Sequence, residues 1–288
     1  MPVTPEFVPA LPPAALAGHV RRYLGYREYG AEPMRRRQAP VGSCALIIGF
    51  GPRLHLRGPG GAVTSGAFLA GMHDAAVLTE FTGEQHGLQV DLTPLGVYRL
   101  LHRPMSGLTN LIPRLDELDD PALAALPARL ADLPDWPSRF ALVSDVLATR
   151  ILDDRERAPD PEVAFAWARL ARSGGTTGVA ELAAETGWSR RYLLTRFRDQ
   201  VGLAPKTAAR VLRFQRASGL VMGGTGSLAE VAATCGYSDQ PHLVREFRAL
   251  AGVTPTAFRA EWHDTAPPPS ETDPGSRSPS TTSSRRRS

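Results

Sequence analysis

The chain has 288 residues, 42% of them hydrophobic, and a formal net charge of +4, which suits two domains better than one core. Its two cysteines, Cys44 and Cys235, form no CxxC pair, which argues against a disulfide framework and a thiolate zinc site. No apolar run approaches the ~18 residues of a membrane helix and no charged-then-apolar signal opens the chain, so a soluble, cytoplasmic protein without a membrane partner is expected.

Residues 1–20 are rich in Pro and Ala and read as a loose leader. From Tyr26 to Leu92 short apolar runs alternate with Gly and Pro. "SCALIIGF", "RLHLR", "GAFLAG", "AAVLTEF" and "GLQVDL" have the length and pattern of strands. Closely spaced short strands predict a small β-barrel or sandwich. In "TPLGVYRLLHRP", Thr93 caps a helix that opens with Pro94. Residues 119–156 turn helical, with Phe140, Val143, Leu147 and Ile151 on one stripe that either packs on the barrel or forms a dimer seam. "APDPE" at 158–162 breaks the chain and marks a domain boundary. Residues 161–262 read as helices. The segment 264–288, rich in Pro, Ser, Thr and Arg and poor in apolar residues, cannot offset its ordering entropy and is expected to be disordered.

The helical region writes one pattern twice, over about 178–202 and 227–252. "GYSDQPHLVREFR" begins at Gly236 and "GWSRRYLLTRFR" at Gly187; the glycines are 49 residues apart and Phe197 and Phe247 are 50 apart. In the second copy Ser227 and Glu230 form a capping box. A helix through Val231 then ends at Gly236, where a left-handed residue is needed. Ser238 or Asp239 caps the next helix, Pro241 sits in its first turn, and Leu243 and Phe247 face inward at i and i+4. The first copy repeats this with Leu182, Gly187, Ser189, Leu193 and Phe197. The predicted element is helix, short turn, helix. The linker "PKTAARVLRFQRASGLVM" reads as a third helix, about 24 Å long for about 16 residues.

Fixing the buried stripe fixes the exposed one. Arg191, Thr195 and Arg198 lie opposite Leu193 and Phe197; Pro241, Arg245 and Arg248 hold those places in the second copy, beside Gln240 and Val244. A helix lying in the major groove of double-stranded DNA needs such a face: Arg reads guanine, Gln reads adenine, and Thr or Val meets a thymine methyl. The alternative is an ordinary solvated helix face, and duplication weighs against it. Residues 161–262 hold 13 Lys and Arg against 8 Asp and Glu, a net of +5, whereas residues 1–160 hold 16 against 18. The excess positive charge thus sits where phosphate would be met.

"LAAETGWSRRYLLTRFRDQVGLAP" and "VAATCGYSDQPHLVREFRALAGVTPTAFR" resemble the two helix-turn-helix units of AraC-type (AraC/XylS family) transcriptional regulators. The resemblance covers about residues 161–262. It implies base contacts from Arg191, Leu194 and Thr195 and from Gln240, Pro241, Val244 and Arg245. It implies phosphate contacts from Arg198, Arg248 and His242, with a packing histidine as the alternative for His242. Leu194 and Val244 are apolar where polar readers are common, and Arg196 takes a place that is usually apolar. The implied fold is α+β: a cupin-like small β-barrel plus helices over 21–157, which senses an effector or forms dimers, then an all-α domain of two helix-turn-helix units joined by a linker helix. The implied partners are DNA, a small-molecule effector, a second copy of the chain and, for an activator, RNA polymerase.

An enzyme or metal-binding barrel with an accessory helical domain is the competing class. His19, His55, His73, His86 and His102 are scattered, and no HxH or HExxH occurs. Glu84 and His86 share a strand face, which is more simply surface polarity than a metal pair. No catalytic residue, metal or cofactor is expected.

Overall fold

The computed structural model describes residues 5–152, 158–224 and 226–265, with side chains in the last helix described to Glu261. The tail expected to be disordered lies outside the described residues, apart from the end of that helix. An antiparallel sheet forms the first half: β1 (Glu6–Ala10), β2 (Val20–Gln38), β3 (Cys44–Gly49), β4 (Leu54–Gly58), β5 (Gly61–Ser65), β6 (Ala67–Ala70) and β7 (Val77–Leu92). The path runs β1-β2-β7-β3-β6, and β4 joins β7 to β5. β7 is the spine. It pairs with β2 along its length on one side, and with β3 and then β4 on the other.

Two expectations need correction. The sheet is not closed: β1 and β6 end the pairing path without meeting each other, so it is an open antiparallel sheet rather than a barrel. Residues 6–20 are not a loose leader. β1 pairs with β2 from Glu6↔Arg27 to Ala10↔Tyr23, and Leu16, in a short 3-10 turn, is 1% exposed. A Pro- and Ala-rich segment can still supply an edge strand, where a missing N–H faces outward.

Alternation builds the inner face. Cys44, Leu46 and Ile48 on β3 and Leu88, Val90 and Leu92 on β7 are buried, two residues apart as strand geometry requires. Helices cover this face: α1 (Pro94–Leu101), α2 (Pro121–Ala124), α3 (Leu126–Ala131) and α4 (Trp136–Leu152). Thr93 caps α1 as expected, its Oγ1 accepting the Gly96 N–H at 3.0 Å. On α4, Val143, Leu147 and Ile151 are buried within the chain, and Phe140 stacks on Tyr23 at 5.8 Å between centroids. The stripe therefore packs on the sheet and is no dimer seam. Gly25 makes this possible, because a Cβ there would come within 2.7 Å of three atoms of the Trp136 ring.

The second half is helical: α5 (Pro161–Arg172), α6 (Val179–Thr186), α7 (Arg190–Val201), α8 (Pro205–Met222), α9 (Leu228–Thr234), α10 (Gln240–Ala251) and α11 (Pro255–Thr265). α6 and α7 form one helix-turn-helix unit, α9 and α10 the other, and α8 is the linker helix.

Candidate nucleic-acid interface

Each unit is set by its turn. Gly187 and Gly236 sit at φ +69° and +73°, the left-handed conformation that follows a helix end. In the first unit Ser189 Oγ accepts the Tyr192 N–H at 3.3 Å. In the second, Ser227 Oγ accepts the Glu230 N–H at 3.2 Å and the Glu230 carboxylate accepts the Ser227 N–H at 2.6 Å; those bonds also hold the Glu230 carboxyl below its ordinary range. The cap of α10 is Asp239, whose carboxylate accepts the His242 N–H at 2.6 Å. These caps satisfy N–H groups that would otherwise be orphaned at the start of each helix.

The inward stripe is as expected. Leu182, Leu193 and Phe197 are fully buried, as are Leu243 and Phe247, and Val231 is 3% exposed. Phe247 meets Phe214 of the linker at 4.8 Å and Phe258 of α11 at 5.6 Å, both edge to face. With the inner faces pinned, the outer faces are determined. Arg191, Leu194, Thr195 and Arg198 are exposed on α7, and Gln240, Pro241, Arg245 and Arg248 on α10; Val244 and His242 are half-buried. Arg190 and Tyr192, for which the sequence raised no expectation, are also exposed.

The electrostatics separate two classes of arginine. Arg37, Arg169, Arg196 and Arg210 are each paired with a carboxylate. The guanidiniums of Arg190, Arg191, Arg198, Arg245 and Arg248 have no ion pair or hydrogen bond among the described residues. α7 and α10 thus display five guanidinium groups that no carboxylate neutralises among the described residues. Arg196 explains its departure from the usual apolar residue. It folds back to grip both carboxylate oxygens of Asp160 at 2.7 and 3.0 Å, and this keeps the Asp160 carboxyl below its ordinary range. His242 takes part in packing. Its ring lies edge-on to Tyr237 at 5.2 Å, and its Nδ1 accepts the Ser238 N–H at 3.4 Å; Nε2 has no partner among the described residues.

Residues 182–261 match the family described as a helix-turn-helix domain. Within 74 residues the chain is 36% identical to the F1 operon positive regulatory protein of Yersinia pestis, covering 26% of this chain and 25% of that protein. The chain carries an AraC-type helix-turn-helix domain. An HTH-type transcriptional regulator of Mycobacterium tuberculosis is 27% identical over 158 residues, which is 55% of this chain and 57% of the relative. The chain therefore spans between a quarter and somewhat over half of the length of these curated relatives. Ahead of the AraC-type domain, residues 9–113 match a domain of unknown function, DUF6597. Among solved structures, ToxT from Vibrio cholerae aligns with 83% of this chain and 96% of its own, at 11% identity and a TM-score of 0.48.

No group of three or more His, Cys, Asp or Glu that would hold a metal is found among the described residues. Glu84 is engaged by Arg27 at 2.6 Å, and His86 lies between Phe50 and Trp136, edge-on to each. Burial and the charges of Arg139 and Arg27 push the His86 imidazole below its ordinary pKa. No helix among the described residues is long and apolar enough to cross a membrane.

Proposed function

We propose that this chain is a sequence-specific DNA-binding transcription regulator of the AraC type. Residues 161–262 are the DNA-binding domain in this reading, and residues 21–157 sense a small-molecule effector or bring two copies together. α7 and α10 enter the major groove. Arg191, Leu194, Thr195, Gln240, Pro241, Val244 and Arg245 meet base edges, and Arg198, Arg248 and His242 meet phosphates. The observation that carries the proposal is the pair of recognition helices with buried inner stripes and unneutralised arginines outside. α8, 18 residues long and so about 27 Å, joins the units so that one chain reads two adjacent grooves.

The name of the Yersinia relative speaks for activation, which would make RNA polymerase a partner. The relatives are regulators, which speaks against the enzyme class.

Selection of bound duplexes from a random pool, run at two salt concentrations, tests this reading. An enriched sequence is expected, with affinity that falls steeply as salt rises; a pool returned without enrichment overturns it. On the selected duplex Arg245→Ala should cost about 1–3 kcal/mol and relax one base position. An equal loss on unrelated DNA would instead make Arg245 a phosphate contact.

A further inference from the structure

The internal duplication assigns a partner to a residue that the sequence left out. In each unit the turn carries an aromatic directly after its glycine, Trp188 and Tyr237. Each packs edge-on against a ring at the same place in the following helix. Trp188 meets Tyr192 at 4.7 Å and 67°, and Tyr237 meets His242 at 5.2 Å and 81°. The spacing is four residues in one unit and five in the other because the second turn holds one more residue. The equivalence is confirmed by the caps: the Tyr192 N–H is the one taken by Ser189, and the His242 N–H the one taken by Asp239. Tyr192 and His242 are therefore the same residue of the motif, each in the first turn of its recognition helix.

We propose that Tyr192 is a DNA phosphate contact, its hydroxyl donating to a backbone oxygen and Trp188 holding its ring in place. This rests on the DNA-binding reading above. Successive residues of a helix are 100° apart, so Tyr192 lies on the flank of α7 between the base-facing stripe (Arg191, Thr195) and the buried one (Leu193, Phe197). When the N-terminal turn of a recognition helix enters the groove, that flank faces the sugar-phosphate wall, and tyrosine is among the residues that bind it. Tyr192 is 51% exposed, a large area for an aromatic ring in a folded unit. Its hydroxyl has no hydrogen-bond partner among the described residues. Arg191, one position before it, carries a free guanidinium, so positive charge adjoins the flank where the phosphate would sit. The edge-on packing on Trp188 fixes the ring in the free protein, so little rotamer entropy is lost on binding.

The test uses the full chain on two duplexes, one selected from the random pool and one unrelated, each at two salt concentrations. Tyr192→Phe keeps the ring and its contact with Trp188 and removes only the donor. It should weaken binding by about three- to tenfold on both duplexes alike, with an unchanged melting temperature. The slope of log affinity against log salt should also be unchanged, because a neutral donor displaces no counterion. Arg198→Ala should lower that slope by about one, and Tyr29→Phe, at an exposed tyrosine on β2, should change nothing. Wild-type affinity in Tyr192→Phe on both duplexes overturns the proposal. So does a loss confined to the selected duplex, which would make Tyr192 a base reader. If the unaltered chain binds neither duplex, the DNA-binding reading itself falls and takes this contact with it.

Discussion

Gly236 stands at φ +73°, and a Cβ built there would meet only the Thr176 methyl, at 3.4 Å. Space is therefore available and the backbone angle is the constraint. An L-residue in that conformation sets its Cβ against the following carbonyl, and a β-branched one does so worst. Gly236→Val should destabilise the full chain by about 1–3 kcal/mol, read as a lower urea midpoint, while Gly236→Asn should cost less because asparagine tolerates the left-handed region. Equal midpoints for the valine variant and wild type would show that the turn relaxes. Residues with demands of this local kind, the turn glycines, the caps and the i, i+4 inner pair, were legible because sequence neighbours impose them. Arg196 was not legible, since its partner Asp160 stands 36 positions earlier. Nor was the half-burial of Val244, which depends on what other elements lay against α10.

The linker shows what a whole element adds. α8 buries Pro205, Ala208, Ala209, Val211, Leu212, Phe214, Ala217, Ser218 and Val221, so it is packed on nearly all sides rather than free between two units. Gly219 is an exception: it is exposed, and a Cβ there would meet nothing within 4 Å. Alanine at a helical site of this kind is favoured over glycine because the unfolded chain has less freedom to lose. Gly219→Ala should raise stability by about 0.5–1 kcal/mol in denaturant titration; a loss would mean that the close of α8 needs the smaller residue. Helices such as α8 were readable end to end because their apolar positions recur with a helical period. The long strands were not. β2 runs for 19 residues through Arg21, Arg22, Arg27 and Arg35–Arg37, so no apolar run marks it. β7 is one 16-residue strand interrupted by Gly83 and Gly87, which made it look like two. Runs read as short suggested a closed barrel; two long, bent, paired strands give an open sheet instead.

At the scale of the molecule the Pro-marked boundary at 158–162 does not divide the core. The inner face of the sheet, α1 and α4 form one continuous apolar cluster with α5 and the first helix-turn-helix unit, through Trp167, Leu193, Phe197 and Leu203. Thr109 Oγ1 also donates to the Gly202 carbonyl at 2.5 Å. The second unit has a separate core around Phe214, Leu243, Phe247 and Phe258. It is tied to the sheet by polar contacts between residues more than 200 positions apart, which no local pattern reveals. Chief among them is Arg37 on β2. Its Nε donates to Glu261 of α11 at 2.9 Å, and its Nη1 donates to the Ala251 carbonyl, at the open C-terminus of α10, at 3.0 Å. A cation placed there satisfies an orphaned carbonyl and the negative end of the helix dipole together. The two units are thus held differently, the first by broad apolar burial and the second by a charge-assisted clamp in a partly solvated site beside a small apolar contact from Ala39. Arg37→Ala should therefore cost only about 1–2 kcal/mol, and the loss should be local. Amide hydrogen exchange should quicken over the last turn of α10 and in α11, while exchange in α7 stays at its wild-type rate, because no part of the α7 core depends on Arg37. Exchange that quickens equally in α7 and α10 would mean that the two units open as one, and that the clamp is not what sets the second unit against the sheet.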